Sequence, residues 1–386
     1  MTPRSRALRL GAGLLPLALV AACVRPPNPG DPIRGLSRVQ REQFDRGRAV
    51  VEREFEPDTG LGPLFNAPAC GECHEDPVAG GGGDEVERHV GLVNSDGTCD
   101  SLVERGGPVM QQVATPALRE ALGIDSEPVP PGAALAGRST PDLLGFGLLD
   151  AVPDAAILAH ADPDDRDHDG ISGRPNRFFD GRLGRFGRKA IVPSLRDFND
   201  GAFVIEQGVT NPAVPVEETI GGSPIPAGVD PVPEPEIDQR AIDDTDAFVR
   251  FLAAPARRSL DREGRRGRDL FATIRCVGCH VPTLETGEDS IEPLRKKKVA
   301  AYTDLLLHDM GLELADICLG DASPSEFRTE PLMGLRLNSR FLHDARAATV
   351  REAIELHGGE AAASRDRFRS LSEKDRAALL KFLDSL

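Results

Sequence analysis

The sequence feature that most constrains this chain is a repeated Cys-x-x-Cys-His motif. In the 386-residue chain, the two copies consist of Cys70, Cys73 and His74 and of Cys276, Cys279 and His280. Cysteines at this spacing can add to the two vinyl groups of a haem, and the next histidine then binds the iron. A zinc site needs ligand pairs that lie close together, and a redox-active cysteine pair does not need the histidine. The motif therefore predicts two covalently attached haem c groups.

The segments that flank the two motifs repeat as well. An amphipathic segment containing a Gly-Arg pair precedes each motif, and a second helical pattern follows at 243–255 and at 373–386. In this alignment Phe251 corresponds to Phe382. A helix before the haem site, crossed by a later helix, is the arrangement of cytochrome c domains. The repeat predicts a mainly α fold of two cytochrome-c-like domains with long irregular loops, and no extended sheet.

Composition divides the chain into segments. Three arginines, an apolar stretch and small residues lead to Cys23, which predicts an export signal whose cysteine becomes a lipidated N-terminus. The alternative is ordinary cleavage nearby, with Cys23 lost. Prolines and glycines prevent regular structure between the two halves. The predicted segments are a signal peptide with a lipobox at 1–23, a tether at 24–37, an N-terminal haem domain at 38–210, a linker at 211–237 and a C-terminal haem domain at 238–386.

Charge and the export signal predict the compartment and the partners. The formal net charge of −16 disfavours nucleic acid and favours a basic or dipolar redox partner, such as a small cytochrome or a copper protein. An acidic surface also serves solubility. No later segment has the roughly 18 consecutive apolar residues of a membrane span. These features predict a periplasmic protein that is anchored to a bacterial membrane by lipid on Cys23.

A short acidic segment predicts a calcium site. Asp165, Asp167 and Asp169 alternate before Gly170, as in the first half of an EF-hand loop. The twelfth position holds Asn176 instead of the bidentate glutamate. The alternative is an acidic capped turn without an ion.

Two cysteines, Cys99 and Cys318, remain outside the motifs and the lipobox. In an oxidising compartment they would form a disulfide between the two domains. Two buried free thiols are the alternative, and the sequence leaves both open.

Longer segments carry a family resemblance. The stretch FRTEPLMGLRLNSRFLHDARAATVREAIELHGGEA resembles the C-terminal part of bacterial di-haem cytochrome c peroxidases and of methylamine-utilisation-type di-haem enzymes. The stretches YTDLLLHDMG, GRSTPDLLGFGLLDAVPDAAIL and ADPDDRDHDGISGR are similar to the di-haem oxidoreductase family of peroxidases and thiol oxidoreductases. The resemblance covers nearly the whole chain after its first segment.

The resemblance implies different tasks for the two haems. In the peroxidases the C-terminal haem accepts electrons, and its distal ligand lies fourteen residues after the position of His343. This implies a bis-histidine pair of His280 and His357, and the alternative for His357 is a cation that merely ends a helix. The N-terminal haem is then catalytic, with His74 proximal and His89 as a removable distal ligand. The alternative for His89 is a histidine of a surface loop.

Reduction of peroxide needs a group that moves a proton between the two oxygens. The candidates are Asp150, Asp154, Gln111 and Gln112, and the resemblance places Asp150 first.

The related enzymes use a tryptophan between the haems, and this chain contains none. Tyr302 is the substitute route for an electron, although a packed aromatic is the more common role for such a residue. We interpret His308, in the same stretch, as a hydrogen-bonded structural residue.

The predicted function is that of a di-haem c-type oxidoreductase of peroxidase type. Electrons enter at the C-terminal haem and cross to the N-terminal haem, which reduces hydrogen peroxide or a related oxidant. Two alternatives stay open: a non-catalytic di-haem electron carrier, and an enzyme that oxidises a protein or thiol substrate.

Overall fold

The computed structural model describes residues 25–386. The predicted signal peptide, its lipobox and Cys23 lie outside the described residues. The predicted tether is part of the fold from residue 31 onward, because its backbone pairs with the end of a later helix. The N–H of Ile33 donates to the carbonyl oxygen of Phe251 at 2.7 Å. The tether at 24–37 stays a prediction, and its last residues are held against the end of that helix.

Helix predominates among the regular elements, with about 33% of the described residues in helices and 13% in strands. The helices are α1 Arg38–Val51, α2 Cys70–Cys73, α3 Pro116–Leu122, α4 Phe146–Asp150, α5 Asp154–Leu158, α6 Leu195–Gln207, α7 Gln239–Phe251, α8 Arg262–Thr273, α9 Val350–Leu356, α10 Ala362–Ser370 and α11 Glu373–Leu383. The strands are β1 Leu64–Phe65, β2 Val86–Val93, β3 Cys99–Asp100, β4 Val109–Met110, β5 Val113–Ala114, β6 Ala134–Ser139, β7 Leu284–Glu285, β8 Lys298–Val299, β9 Leu307–Asp309 and β10 Glu326–Arg328.

The two predicted helix pairs are present. α1 packs against α7, and α8 packs against α11. Each crossing brings a glycine against a backbone carbonyl. A Cβ atom on Gly47 would lie 1.8 Å from the oxygen of Asp244, and one on Gly267 would lie 1.9 Å from that of Ala378. Only glycine therefore allows the two helices of each pair to approach this closely.

The crossings also correct the register of the repeat. A Cβ atom added to Gly47 would also lie 2.8 Å from the Cβ of Phe248. One added to Gly267 would lie 2.8 Å from the Cβ of Phe382. Phe248 is thus the equivalent of Phe382, whereas the sequence alignment assigned that place to Phe251. The difference is about one helical turn, across which an amphipathic pattern repeats and does not fix the register.

A four-stranded antiparallel sheet follows the first motif, and the expectation of no extended sheet is wrong. β2 pairs along one edge with β6, from Val86 opposite Ser139 to Gly91 opposite Ala134. Along its other edge β2 pairs with β3 and β4. The partner strands are short or distant in sequence, so that no single segment carries a strong local signal.

The predicted linker, residues 211–237, is a loop whose ends meet. The hydroxyl of Thr210 donates to Glu236 Oε2 at 2.6 Å, and the N–H of Ile237 donates to the carbonyl oxygen of Thr210 at 3.2 Å. α7 follows this loop and packs on α1. A boundary at 238 would separate two helices that pack together, so the packing favours a boundary after α7. The division into two domains stays a prediction.

Two apolar cores support the two motifs. The larger core joins residues of α1, α4, α6 and α7, and the other surrounds Phe271, Tyr302 and Phe382 near α8 and α11. Among the helices of residues 25–386, none combines the length and the apolarity that crossing a bilayer requires.

Candidate functional site

The second motif presents its histidine to a large cavity. α8 leads into a 3-10 turn at Cys276–Gly278, after which His280 directs Nδ1–H at the carbonyl oxygen of Tyr302, 2.9 Å away. The bond leaves Nε2 as the free ring nitrogen. Burial lowers the pKa of His280 to about 4. At neutral pH the imidazole is therefore neutral and has a free lone pair, as an iron ligand must.

His357 faces the same cavity from the end of α9. Its Nδ1–H donates to the carbonyl oxygen of Ala353 at 2.7 Å, so that Nε2 is again free. Burial also lowers the pKa of His357. Cys276, Cys279, His280 and His357 all line this one cavity. Two thiols and two neutral imidazoles around one apolar space fit a covalently attached, bis-histidine haem.

The first motif forms α2 and lies against the end of α6. The thiol of Cys70 donates to Gln207 Oε1 at 3.4 Å. His74 directs Nδ1–H at the carbonyl oxygen of Gly81, 3.0 Å away, and burial lowers its pKa. Like His280, His74 donates from Nδ1 to a backbone carbonyl oxygen, and its Nε2 has no hydrogen bond. These residues also fit a haem attached through two cysteines.

His89 lies on β2 and not in a surface loop. Burial, with Arg138 adding to the effect, lowers its pKa to about 4. Its Nε2 lies 3.1 Å from Glu87 Oε2. The interpretation of His89 as a loop histidine is wrong, because a strand paired on both edges holds it. A role as iron ligand stays a prediction, and only Nδ1 is free of a partner in this arrangement.

Two partly buried glutamates beside the first motif were not among the sequence candidates. Burial raises the pKa of Glu206 to about 8, and the nearby Glu87 adds to the rise. Burial raises the pKa of Glu87 to about 7, although Arg188 and Arg138 oppose it. Both glutamates contribute to the raised pKa of the Cys73 thiol, after burial itself. Carboxyl groups that stay protonated near neutral pH can donate protons.

Neighbouring amides hold Glu206 in place. Asn66 Nδ2–H donates to Glu206 Oε2 at 2.7 Å, and the N–H of Gln112 donates to Asn66 Oδ1 at 3.0 Å. The Gln111 side chain instead donates to the carbonyl oxygen of Ile205 at 3.1 Å. Alternation along β2 puts Glu87 on the same face as His89, and this signal could have identified it. No comparable signal exists for Glu206, which reaches the motif through packing of α6.

Asp150 and Asp154 have structural partners. Asp150 accepts the N–H of Leu195 at 3.0 Å and lies 3.5 Å from Arg250 Nε. Asp154 pairs with Arg185. Their catalytic role stays a prediction, and Glu87 and Glu206 are better placed as proton donors.

Tyr302 and His308 both have packed positions. Tyr302 makes edge contacts with Phe271 and Phe382 in the second core. His308 is 2% exposed and bonds through both ring nitrogens, to Asp304 and to Glu360, each at 2.8 Å. Burial alone would lower the pKa of His308, but these partners raise it well above its ordinary value. Both nitrogens are occupied, which agrees with the structural role predicted for His308.

The acidic segment gathers its carboxylates as the calcium prediction requires. One oxygen from each of Asp165, Asp167 and Asp169 lies within 4.8 Å of the others. Asn176 is fully buried and donates to the carbonyl oxygens of Lys189 and Leu319, so it is occupied elsewhere. A second group of carboxylates also has one oxygen each within 4.8 Å of the others, and it comprises Glu217, Asp230, Glu234 and Glu236.

Cys99 and Cys318 form a disulfide. The bond joins β3, in the sheet next to the first motif, to a segment that precedes β10. Of the two alternatives that the sequence left open, the structure has the disulfide.

A family model described as "Di-haem oxidoreductase, putative peroxidase" matches residues 131–386. The match covers more than half of the chain, and the chain belongs to the di-haem oxidoreductase family. The class defined by the fold and the site is therefore that of the peroxidase-like di-haem oxidoreductases, as the resemblance implied. No curated protein sequence matches the chain.

Three solved structures align with most of this chain. The diheme peroxidase BthA from Burkholderia thailandensis is 14% identical, with a TM-score of 0.44, over 89% of this chain and 86% of that chain. A MauG-like protein associated with microbial copper homeostasis is 15% identical, with a TM-score of 0.41, over 94% and 92%. A hydrazine synthase from Kuenenia stuttgartiensis is 13% identical, with a TM-score of 0.40, over 97% and 100%.

Proposed function

We propose that the chain is a di-haem c-type peroxidase. Electrons from a periplasmic donor enter at a haem attached to Cys276 and Cys279 and pass to a haem attached to Cys70 and Cys73, where hydrogen peroxide is reduced. The observation that carries the proposal is the contrast between the two sites. The second has two histidines with free Nε2 atoms in one cavity. The first has one such histidine and two carboxyl groups of raised pKa.

The haem irons would supply the electron-transfer chemistry at both sites. The protein must supply protons, because hydrogen peroxide takes up two electrons and two protons as its O–O bond breaks to give two water molecules. With pKa values raised to about 8 and about 7, Glu206 is mostly and Glu87 partly protonated at neutral pH, and both lie beside the first motif. Asn66 holds the Glu206 carboxyl through a hydrogen bond of 2.7 Å, so the group does not need to reorganise before it donates.

The same proposal includes the place of the protein in the cell. An export signal with a lipidated Cys23 would anchor the protein to a bacterial membrane on the periplasmic side, and the acidic net charge suits a basic or dipolar cytochrome or copper protein as donor. A calcium ion at Asp165, Asp167 and Asp169 would be held by three carboxylate oxygens that lie within 4.8 Å of one another, of which that of Asp169 belongs to a group also paired with Arg275.

A half-reduction experiment tests the function. The holo-protein is oxidised, reduced by one electron equivalent per molecule, and then mixed with hydrogen peroxide while its absorption spectrum is recorded. We expect half-reduction to give one low-spin and one high-spin haem, and peroxide to reoxidise the protein rapidly. If both haems stay low-spin and do not respond to peroxide, the chain is an electron carrier and the proposal is wrong.

Matched histidine variants assign the spectral components. His357→Ala should convert the low-spin haem to a high-spin form, because the second site loses one of its two free imidazole nitrogens. His160→Ala is the control, since His160 is an exposed histidine. A low-spin spectrum that survives in His357→Ala would refute the bis-histidine pair.

A further inference from the structure

The most exposed large apolar side chain of residues 25–386 lies beside the second haem site. Leu312 is 90% exposed, and the next in order, Phe179, is 70% exposed. A single exposed leucine needs no explanation by itself, because much of any protein surface is apolar. The position of Leu312 is what matters. It is the tip of a turn, residues 309–313, that packs against the end of α9, where His357 lies.

Close backbone contacts hold this turn, the Leu312 turn, on the segment that follows His357. A Cβ atom on Gly311 would lie 2.9 Å from the backbone nitrogen of Gly359. One on Gly359 would lie 2.1 Å from the carbonyl oxygen of Asp309, so that only glycine allows the two backbones to approach this closely. The N–H of Asp309 also donates to Glu360 Oε1 at 3.3 Å. The turn is therefore fixed in position relative to His357.

The Leu312 turn separates the large cavity from solvent by very little protein. Met310 and Leu314, on either side of Leu312, line the cavity that contains His280 and His357. Leu314 is 1% exposed, whereas Leu312 between them points outward. The rate of electron tunnelling falls steeply with distance. An electron donor would therefore gain most by binding where the protein between it and the cavity is this thin.

The charges around the turn are mainly negative. Asp309 and Glu313 flank Leu312, and both are exposed. Arg346 donates from Nη1 to the carbonyl oxygen of Glu313 at 2.8 Å. Two nearby arginines are each paired with an aspartate, in the pairs Arg346–Asp344 and Arg365–Asp366. An apolar tip with a surplus of carboxylates at its rim complements a partner that has an apolar patch ringed by basic residues.

We infer that the Leu312 turn is the surface on which a small, basic electron-transfer protein docks to reduce the second haem site. The inference rests on the proposed function, in which electrons enter at that site. Each encounter oxidises the donor by one electron and reduces the haem at Cys276 and Cys279 by one electron. Two encounters therefore supply the two electrons that one molecule of hydrogen peroxide takes up.

The small size of the apolar tip suits a short-lived complex. Redox partners that must separate after each electron bury less than about 1,200 Å² in total. Such an interface has an apolar centre and a polar, charged rim. Leu312 would provide the centre, and Asp309 and Glu313 would meet basic side chains of the donor. The rim charges would speed the encounter without making the complex long-lived.

The first test measures binding without electron transfer. Oxidised cytochrome c, a small basic haem protein, is titrated into the oxidised holo-protein at low ionic strength in a calorimeter. We expect Leu312→Ala to weaken binding about tenfold, because the apolar contact is lost. Val216→Ala, which changes another exposed apolar side chain, 69% exposed, should bind as the wild type does. An unchanged affinity in Leu312→Ala, or no binding to the wild type, would overturn the inference.

A second variant tests the rim. Glu313→Gln removes one exposed carboxylate, and we expect it to weaken binding by about two- to fivefold and to make the affinity less dependent on salt. Glu120→Gln, a change at an exposed glutamate of α3, should have no effect. Both Leu312 and Glu313 are exposed, so neither substitution removes a buried contact. A wild-type affinity that does not fall with rising salt would contradict a basic partner.

Kinetics separate failure of the docking surface from failure of the proposed function. With reduced cytochrome c as donor, Leu312→Ala should raise the KM for cytochrome c about tenfold and leave kcat unchanged. Reoxidation of the chemically reduced variant by hydrogen peroxide should match that of the wild type. If the wild type itself is not reoxidised, the proposed peroxidase function is wrong, and the binding test still decides the docking surface. If Leu312→Ala slows reoxidation as much as it slows the donor reaction, Leu312 acts within the haem site and the inference is wrong.

Discussion

Three histidines of this chain use one arrangement of their rings. His74, His280 and His357 each donate from Nδ1 to a backbone carbonyl, at 3.0, 2.9 and 2.7 Å. The bond fixes the tautomer and directs the lone pair of Nε2 away from the backbone. His308 is different, since carboxylates occupy both of its nitrogens. Hydrogen bonding alone therefore separates the histidines that are available to a metal from the one that is not.

Glu206 should control the pH dependence of peroxide reduction. Its pKa is raised to about 8, first by burial and then by Glu87, and the protonated form is the donor. The steady-state rate should therefore be highest below pH 7 and fall as the pH rises through about 8. Glu206→Gln should lower kcat by about 10²–10⁴-fold, the usual contribution of a general acid. An equal loss in Glu42→Gln, an exposed glutamate, would indicate a nonspecific effect.

The functional role of some residues can be predicted from the sequence, and that of others cannot. The haem cysteines and their histidines are predictable because the chemistry depends on local spacing. His357 could be suggested only by a family resemblance, because its partner His280 is far away in sequence. Glu206 could not be predicted, since its raised pKa depends on burial by segments that meet only in the folded chain.

Pairs of crossing helices are the elements that organise the molecule. In both pairs the helix before the motif carries the glycine, and the later helix supplies the carbonyl oxygen and a phenylalanine. Burial of Phe248 and Phe382 at these crossings adds roughly 1.5–3 kcal/mol each. A change at the glycine would separate the helices and move the motif that follows.

Gly267→Ala should destabilise the protein by about 1–3 kcal/mol, as overpacking of a tight contact does. Its new Cβ would lie 1.9 Å from the oxygen of Ala378, which is backbone and cannot turn away. Gly201→Ala in α6 is the matched control, because its Cβ would meet only Ile205 at 3.7 Å. That change should stabilise the helix by about 0.5–1 kcal/mol. Thermal unfolding of both variants measures the difference, and a stable Gly267→Ala would contradict the crossing.

At the level of elements, the sequence predicted the four helices of the two pairs and missed the sheet. Helical periodicity in α1, α7, α8 and α11 is strong because one face of each is buried. β2 alternates only weakly, and its main partner β6 begins at Ala134, beyond three short strands. A sheet built from distant segments cannot be derived from local pattern.

Over the whole molecule, a disulfide connects the two halves of the chain. Cys99 and Cys318 are 219 residues apart, and the bond closes a long loop that contains the second motif. Long loops lose the most entropy in the unfolded state when they are closed. The linkage therefore restrains the halves independently of the haem groups.

Removing the disulfide should lower the stability of the whole protein. We expect a loss of about 2–4 kcal/mol in the double variant Cys99→Ser, Cys318→Ser, measured by denaturant unfolding of the holo-protein. Dithiothreitol should produce the same loss in the wild type and none in the variant. Equal stability of the wild type and the variant without reductant would show that the bond does not contribute.

The pairing of α1 with α7 has a consequence for maturation. The chain is synthesised from its N-terminus, so Cys70 and Cys73 emerge long before Gln239, where the covering helix starts. During that interval α1 and the first Cys-x-x-Cys-His segment lack the helix that packs against α1 in the folded chain. The same holds for Cys276 and Cys279 until α11 arrives. In each half, the helix pair is therefore completed only after the Cys-x-x-Cys-His segment has been made.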